Sequence, residues 1–563
     1  MLFWLGLACT GSKEQDSANI LESWRPMQVC PGDAGCESAE GALQVGASAK
    51  VITPTCFEQW EDVDENKRYA ANVDVVLDCG CDQLCPGDEG YVSRDDGEGD
   101  GRFDAIWLAG YNSARPANFV HDDIWARTLF FSQGDVDVAL VSVDLVGFFL
   151  SDVELLRERL ETQLPELDHL LISSTHVHSG PDVLGQWGRI PGTTGRNDRY
   201  QEELYTAIID GVLEAWNSRE IASMSVGSID TSTYSAEKGS KNIIHDLRDP
   251  KIIDTELGVA HFTNPSGDTI ATMVSFGNHP EVLTGSSLGI TSDFTDATRR
   301  GVENGISYPD QEIPGVGGVC VYVSSTVGGM MSPLRVEVTD GSGQSYRDNT
   351  FEKSDALGNV MAELTLQAIS EAQPVTESNL NIDFAVQTFD VPIENTLFQI
   401  AFQSGMFDRS LSNYEDGETL DPYKLPLVTT EITTLDVGNI RMQSVPGELL
   451  PELAIGGYTD PAQPYTDLEE IVSEDNPNPP DLSQAPEGPY IKDRMAAEHN
   501  WIIGLGNDEL GYFVPSYNYK LNESVPYFNE AEGDHYEETN SLGPSAYPII
   551  ETEIHRLLEW MNQ

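Results

Sequence analysis

The chain carries ten histidines, and two of them stand in Thr175-His176-Val177-His178-Ser179-Gly180-Pro181 at positions i and i+2. In extended backbone these side chains share one face and can enter the same cavity. His-x-His is a common metal-ligand spacing of low specificity, and two surface histidines before a Gly-Pro turn would look the same. His279 ends the apolar run Val274-Ser-Phe-Gly-Asn-His-Pro280 and is stopped by proline. Glu448 follows Gln443-Ser-Val-Pro-Gly, and Tyr512 closes Gly506-Asn-Asp-Glu-Leu-Gly. Taken singly, a satisfied histidine, a solvated turn glutamate and a core tyrosine explain each one. Together they repeat one pattern, a strand that stops and then presents a polar group. Ser325-Thr-Val-Gly-Gly-Met-Met-Ser-Pro333 follows another apolar run. It would bring the Ser332 hydroxyl to the same rim and leave backbone N–H groups free for a substrate.

Those groups need strands to carry them. The continuous apolar run at 137–146 has strand length, a Leu/Glu/Arg-rich helical stretch follows at 152–164, and a second strand comes at 169–173. This is β–α–β order, with the His-x-His segment just past the second strand, where α/β sheets place ligand sites. A strand opening at Val45 and stopped by Pro54 precedes it. Further strands are expected at 257–262, 269–276, 319–324, 382–389 and 434–444, and helices at 199–217, 353–372 and 546–561. The expected fold class is α/β: mixed β-sheets flanked by helices in a single large catalytic domain. Residues 460–490, rich in Pro, Asp and Asn, read as a long surface loop.

Composition narrows the partners. Asp and Glu total 93 against 31 Lys and Arg, a net charge of −62 over 563 residues. Such a surface repels phosphate backbones and anionic lipid headgroups, which argues against nucleic-acid binding. No apolar run reaches the ~18 residues of a spanning helix. Residues 1–9 (Met1-Leu-Phe-Trp-Leu-Gly-Leu-Ala-Cys9) resemble the end of a lipoprotein signal with Cys9 as the lipid anchor, although no basic segment precedes them. The expectation is an exported protein. Residues 10–42 are polar and read as a linker, leaving 43–563 as the domain.

Six further cysteines fall within residues 30–85, which suits disulfides stapling a loop-rich insert in an oxidised compartment. The insert at 56–104 is acidic. Its Asp96, Glu98 and Asp100, followed by Gly101 and Asp104, match the opening of a calcium loop, but Trp107 stands where the twelfth-position Glu belongs. Calcium binding and a merely solvated acidic loop fit this segment equally, and the stretch at 61–66 has similar spacing.

Taken in order, these segments resemble the catalytic domain of the neutral/alkaline, non-lysosomal ceramidases, which are zinc-dependent amidases. The family's His-Thr-His-Ser-Gly-Pro is similar to His176–Pro181, and its strand-His-Pro element to His279-Pro280. Its Gly-Asp-Val-Ser-Pro resembles Gly329–Pro333, its Pro-Gly-Glu resembles Pro446–Glu448, and its Asn-x-Tyr-x-x-Tyr resembles Asn507–Tyr512. Ile52-Thr-Pro54 and Ala126-Arg127 also fit, so the likeness runs over roughly residues 45–563. The resemblance implies zinc held by His176, His279, Glu448 and Tyr512. It implies His178 beside the metal as a proton shuttle, and Ser332 in the catalytic-serine position. The implied substrate is the amide of ceramide or a related lipid amide, hydrolysed by zinc-activated water. Met330 replaces the acid two residues before the family's serine, and Glu509 replaces the first tyrosine of the last motif. No counterpart of the family's Asn-Arg-Ser arginine stands near Lys241, nor of its C-terminal immunoglobulin-like domain. The alternatives are a zinc hydrolase of a different amide or ester, and a non-catalytic surface protein that binds through its acidic insert.

Overall fold

Three five-stranded sheets enclose one central core. The structure is a computed structural model describing residues 24–232, 243–329, 331–415, 417–458 and 471–563. The expected signal at 1–9, Lys241 and Met330 lie outside the described residues, as does part of the loop at 460–490. One sheet runs His169–Ser174, Val136–Val143, Trp125–Gln133, Gln44–Val51, Glu220–Ile221. The second runs Val319–Ser324, Thr269–Phe276, Glu256–Thr263, Ser223–Asp230, Gln373–Pro374. The third runs Gln28–Cys30, Ile382–Pro392, Leu427–Val437, Ile440–Ser444, His499–Ile503. Each sheet is antiparallel except for one parallel pair at an edge.

The period-2 alternation of strands explains this packing. In Trp125–Gln133, Leu129 and Phe131 face the core shared by all three sheets, while Ala126 and Phe130 face outward. The outward face is covered by helices Leu150–Glu161 and Asp198–Ser218. The second sheet is covered by Phe294–Asn304 and Phe351–Glu371, and the third by Ala546–Met561. The fold is therefore α/β, with mixed sheets flanked by helices in one domain. Trp501 lies against Gly258, where a Cβ would come within 2.4 Å of the indole, so only glycine admits the ring.

One expectation needs correction. The single strand at 434–444 is a hairpin: Leu427–Val437 turns at Gly438-Asn439 into Ile440–Ser444. Gly438 has φ +63°, the first-position glycine that a two-residue hairpin turn favours. In the acidic insert, the carboxylates at 95–104 do not converge. Asp96 pairs with Arg199, Glu98 accepts from the Tyr91 hydroxyl, and Asp78 caps the amides of Gly99, Asp100 and Gly101. The acidic group that does converge among the described residues is Asp62, Asp64 and Asp74.

The cysteines pair as Cys30–Cys36, Cys56–Cys81 and Cys79–Cys85. Gln28–Cys30, inside the stretch expected as linker, forms the edge strand of the third sheet. Among the described residues no helix is long and apolar enough to cross a membrane.

Candidate metal centre

The three parallel pairs end at the same place. Asn507 N donates to Ile172 O at 2.7 Å, and Gly504 N donates to Ser324 O at 2.8 Å, so the carboxyl ends of the three edge strands are tied together. His176 follows His169–Ser174, His279 follows Thr269–Phe276, and Ser332 follows Val319–Ser324. Glu448 and Tyr512 leave the third sheet's parallel pair and continue as a short parallel pair of their own. His176 takes φ +70°, a left-handed conformation rare outside glycine that costs on the order of 1–3 kcal/mol.

The ring orientations of His176 and His279 are fixed from behind. Nδ1 of His176 lies on Val146 O, and Nδ1 of His279 on Met331 O at 2.8 Å. A carbonyl only accepts, so each Nδ1 carries a proton and each Nε2 is turned toward the site. Both Nε2 atoms point at one oxygen, Glu448 Oε2, at 3.2 Å from His176 and 3.1 Å from His279. Burial pushes the Glu448 carboxyl up, but the two imidazoles outweigh it and hold it well below the usual carboxylate range. Burial pushes His176 down, and Glu448 more than reverses this. The Tyr512 hydroxyl bonds Glu448, and burial followed by that carboxylate raises its pKa well above the ordinary phenol value.

His178 is placed differently. Its ring nitrogens have no hydrogen-bond partner, although its donor atoms lie within 4.8 Å of those of His176 and His279. Burial, then His176, His279 and the Arg115 guanidinium, push its pKa well below the ordinary value and keep it neutral. Gly110, at φ +99°, lets the ring in: a Cβ there would come within 2.4 Å of it. Nδ1 of His178 faces Glu281 Oε2 at 3.4 Å. Glu281 also accepts from Tyr111 Oη at 3.1 Å and from Ser332 Oγ. Ser332 is fully buried, accepts from Leu334 N at 3.0 Å, and does not line the adjoining cavity.

That cavity, about 180 Å³, has a polar floor and an apolar wall. His176, His178, Glu448, Glu509 and Tyr512 form the floor, and Phe149, Phe398, Phe402, Phe407, Leu184 and Leu542 the wall. Oε2 of Glu509 has no hydrogen-bond partner, and burial followed by Glu448 raises that carboxyl's pKa well above the ordinary range.

Of the residues singled out in the sequence, His176, His178, His279, Glu448 and Tyr512 come together, with Ser332 behind them. Glu281, Tyr111 and Arg115 were missed. Glu281 was within reach, since it sits two residues past His279 in a segment already recognised. Tyr111 and Arg115 carry no local signal, lying in the loop after the Cys-rich insert. The donor chemistry fits a zinc ion: two imidazoles with their second nitrogens anchored, a carboxylate and a phenol are borderline N/O donors.

No family model matches the chain, and no curated protein does by sequence. Among solved structures, the neutral ceramidase from Pseudomonas aeruginosa is similar in fold, with a TM-score of 0.59 at 13% identity. The match covers 92% of this chain and 74% of that one. A structure described as ceramidase complexed with C2 matches with a TM-score of 0.59 at 12% identity, covering 92% and 75%. The fold is the fold of these ceramidases.

Proposed function

We propose that the chain is a zinc-dependent hydrolase of N-acyl amides, with ceramide or a related lipid amide as substrate. The observation that carries this reading is the pair of anchored imidazoles aimed at Glu448 beneath an aromatic-walled cavity in a ceramidase-like fold. His176, His279, Glu448 and Tyr512 would hold the metal, which when bound supplies Lewis acidity at the scissile carbonyl. The aromatic wall takes the acyl chain and excludes water, which strengthens each polar contact on the floor. Neutral His178 takes a proton at Nε2 from the attacking water and returns it to the leaving amine nitrogen. The three disulfides suit an oxidising compartment and support export. Cys9 as a lipid anchor belongs to the same reading.

The test measures metal content together with hydrolysis of a fluorescent N-acylsphingosine, before and after chelation and zinc readdition. One zinc per chain with chelator-sensitive release of sphingosine is expected. Zinc with no ceramide cleavage would move the substrate to another amide or ester. A protein with neither zinc nor turnover would refute the reading and favour a binding role.

A further inference from the structure

A second cavity, of about 330 Å³, shares no lining residue with the one above the metal centre. Five aspartates line it against one fixed cation, Arg300, which two of them, Asp296 and Asp355, already hold at 2.6 and 2.9 Å. A run of acids alone marks no more than a solvated face. The group that goes further is Asp293, which lines the cavity and is only 3% exposed. Its Oδ1 caps the helix Phe294–Asn304, accepting from Phe294 N at 2.7 Å and from the Ser354 hydroxyl at 3.2 Å. Its Oδ2 is buried with no hydrogen-bond partner. Capping explains the first oxygen and leaves the second an acceptor without a donor, which is costly in a folded interior. Part of the lining is aromatic: the His121 and Phe351 rings stack with centroids 3.6 Å apart.

We propose that this cavity binds a primary alkylammonium, its nitrogen on Asp293 Oδ2 and its carbons against the His121–Phe351 pair. A carboxylate accepts only, so the missing partner is a donor, and an ammonium group supplies donor and charge together. Aromatic faces add attraction for a cation and contact for its carbons. A bare divalent ion fits less well, because it draws carboxylate oxygens to within about 2.3–2.6 Å of one point. Among the described residues, no three metal-ligating atoms of this cavity lie within 4.8 Å of one another. Burial pushes the Asp122 and Asp293 carboxyls each up to about 7, and an arriving cation offsets that burial by favouring their ionised forms. The inference does not depend on the hydrolase reading, since no lining residue of this cavity belongs to the metal centre.

The test is calorimetric titration of the full chain with 1,4-diaminobutane. It is run at about 0.15 M salt, where the screening length is about 8 Å and diffuse attraction to a chain of net charge −62 is damped. One saturable site per chain is expected. Asp293→Asn keeps an oxygen for the Phe294 N–H and puts an amide where Oδ2 stood. Affinity should then fall about ten-fold or more, as loss of a hydrogen bond to a charged group implies. His121→Ala changes a side chain that is 39% exposed, so it leaves the fold intact, and it should weaken binding several-fold. Tetramethylammonium carries the charge without an N–H and should bind roughly ten-fold more weakly than the diamine. Heats that do not saturate, or that vanish with added salt, would overturn the inference. So would an affinity unchanged in Asp293→Asn, or in His121→Ala should the first variant not fold. Stoichiometric binding of calcium chloride without binding of the diamine would also overturn it and make the cavity a metal site.

Discussion

Removing His279 separates a metal centre from a buried polar cluster that merely looks like one. His279→Ala takes away one of the two Nε2 atoms that face Glu448 Oε2, here at 3.1 Å. The carboxylate is buried, so losing one charged hydrogen bond costs about 1.5–3 kcal/mol. Emptying a buried ring site adds roughly 2–4 kcal/mol. For a chain of this size unfolding as one unit, each kcal/mol moves Tm by about 1 °C, so the apo variant should melt about 4–7 °C lower. The metal effect is separate from this. Changes one shell further out typically cost 10–100-fold in affinity, so loss of a ligand should cost on the order of 100-fold or more. By linkage that removes about 2.7 kcal/mol of zinc-dependent stabilisation, a further 2–3 °C. The assay is a zinc titration against a chromophoric chelator, with melting curves recorded with and without zinc and Ser332→Ala as the control that keeps its metal. His279→Ala binding zinc within three-fold of wild type, with the same zinc-dependent rise in Tm, would refute the assignment.

Three further outcomes follow from the same structure. Burial pushes Asp122, Asp293 and Glu452 each up to about 7, so the fold binds protons that the unfolded chain has already released. Their stabilisation is complete below the unfolded carboxyl range and is lost as pH rises through 7, so Tm should fall between pH 6.5 and 8. Buried His169, pushed down to about 3 by burial and Arg157, pulls the other way, because the unfolded imidazole still takes up protons near 6.5, and so softens the fall at the low end of the window; a Tm that rises between pH 7 and 8 would contradict the burial argument. Phe149→Ala removes part of the apolar wall, and losing contact with about two methylenes should raise KM for long-chain N-acyl amides roughly ten-fold while leaving short-chain substrates unaffected. Reduction should release the insert: the Cys56–Cys81 bridge closes 25 residues, worth roughly 3–4 kcal/mol, so protease cleavage within 56–104 after reductant is expected while an insert that stays resistant would show that packing holds it.

The elements legible in the sequence were those with one dominant periodicity. The runs at 269–276 and 319–324 fold as Thr269–Phe276 and Val319–Ser324, and the helix at 546–561 as Ala546–Met561. The strand Trp125–Gln133 was missed because both of its faces are buried, one on the central core and one on helices, which erases the alternation that marks a half-exposed strand. Helix Phe294–Asn304 was missed for a local reason. Its start is set by Asp293, whose side chain caps Phe294 N from φ +55°, and its buried face at Phe294, Ala297, Thr298, Gly301 and Val302 is built as much from small and polar residues as from apolar ones. At the site, residues standing at strand ends were legible, because a run that stops at Pro or Gly is visible in one dimension. Glu281, Tyr111 and Arg115 act by contacts across 50 residues or more, and nothing in their own neighbourhoods encodes the partner.

The same architecture explains how one fold accommodates sequences as different as this chain and a ceramidase 13% identical to it. A sheet asks of its residues only that apolar side chains alternate or fill both faces, and many sequences satisfy that. The centre asks for much less sequence but fixes it harder. His176, His279 and Glu448 each stand just past one strand of a different sheet's parallel pair, and backbone hydrogen bonds such as Asn507 to Ile172 lock those ends together. Moving any of the three sheets by one residue in register would turn its site residue to the opposite face. The centre is thus specified by a few strand endings and by the order in which they occur. That also separates the weight of individual motifs from the weight of their order. A single strand-then-polar ending arises easily in any α/β chain, but three of them meet only if the sheets close around one core.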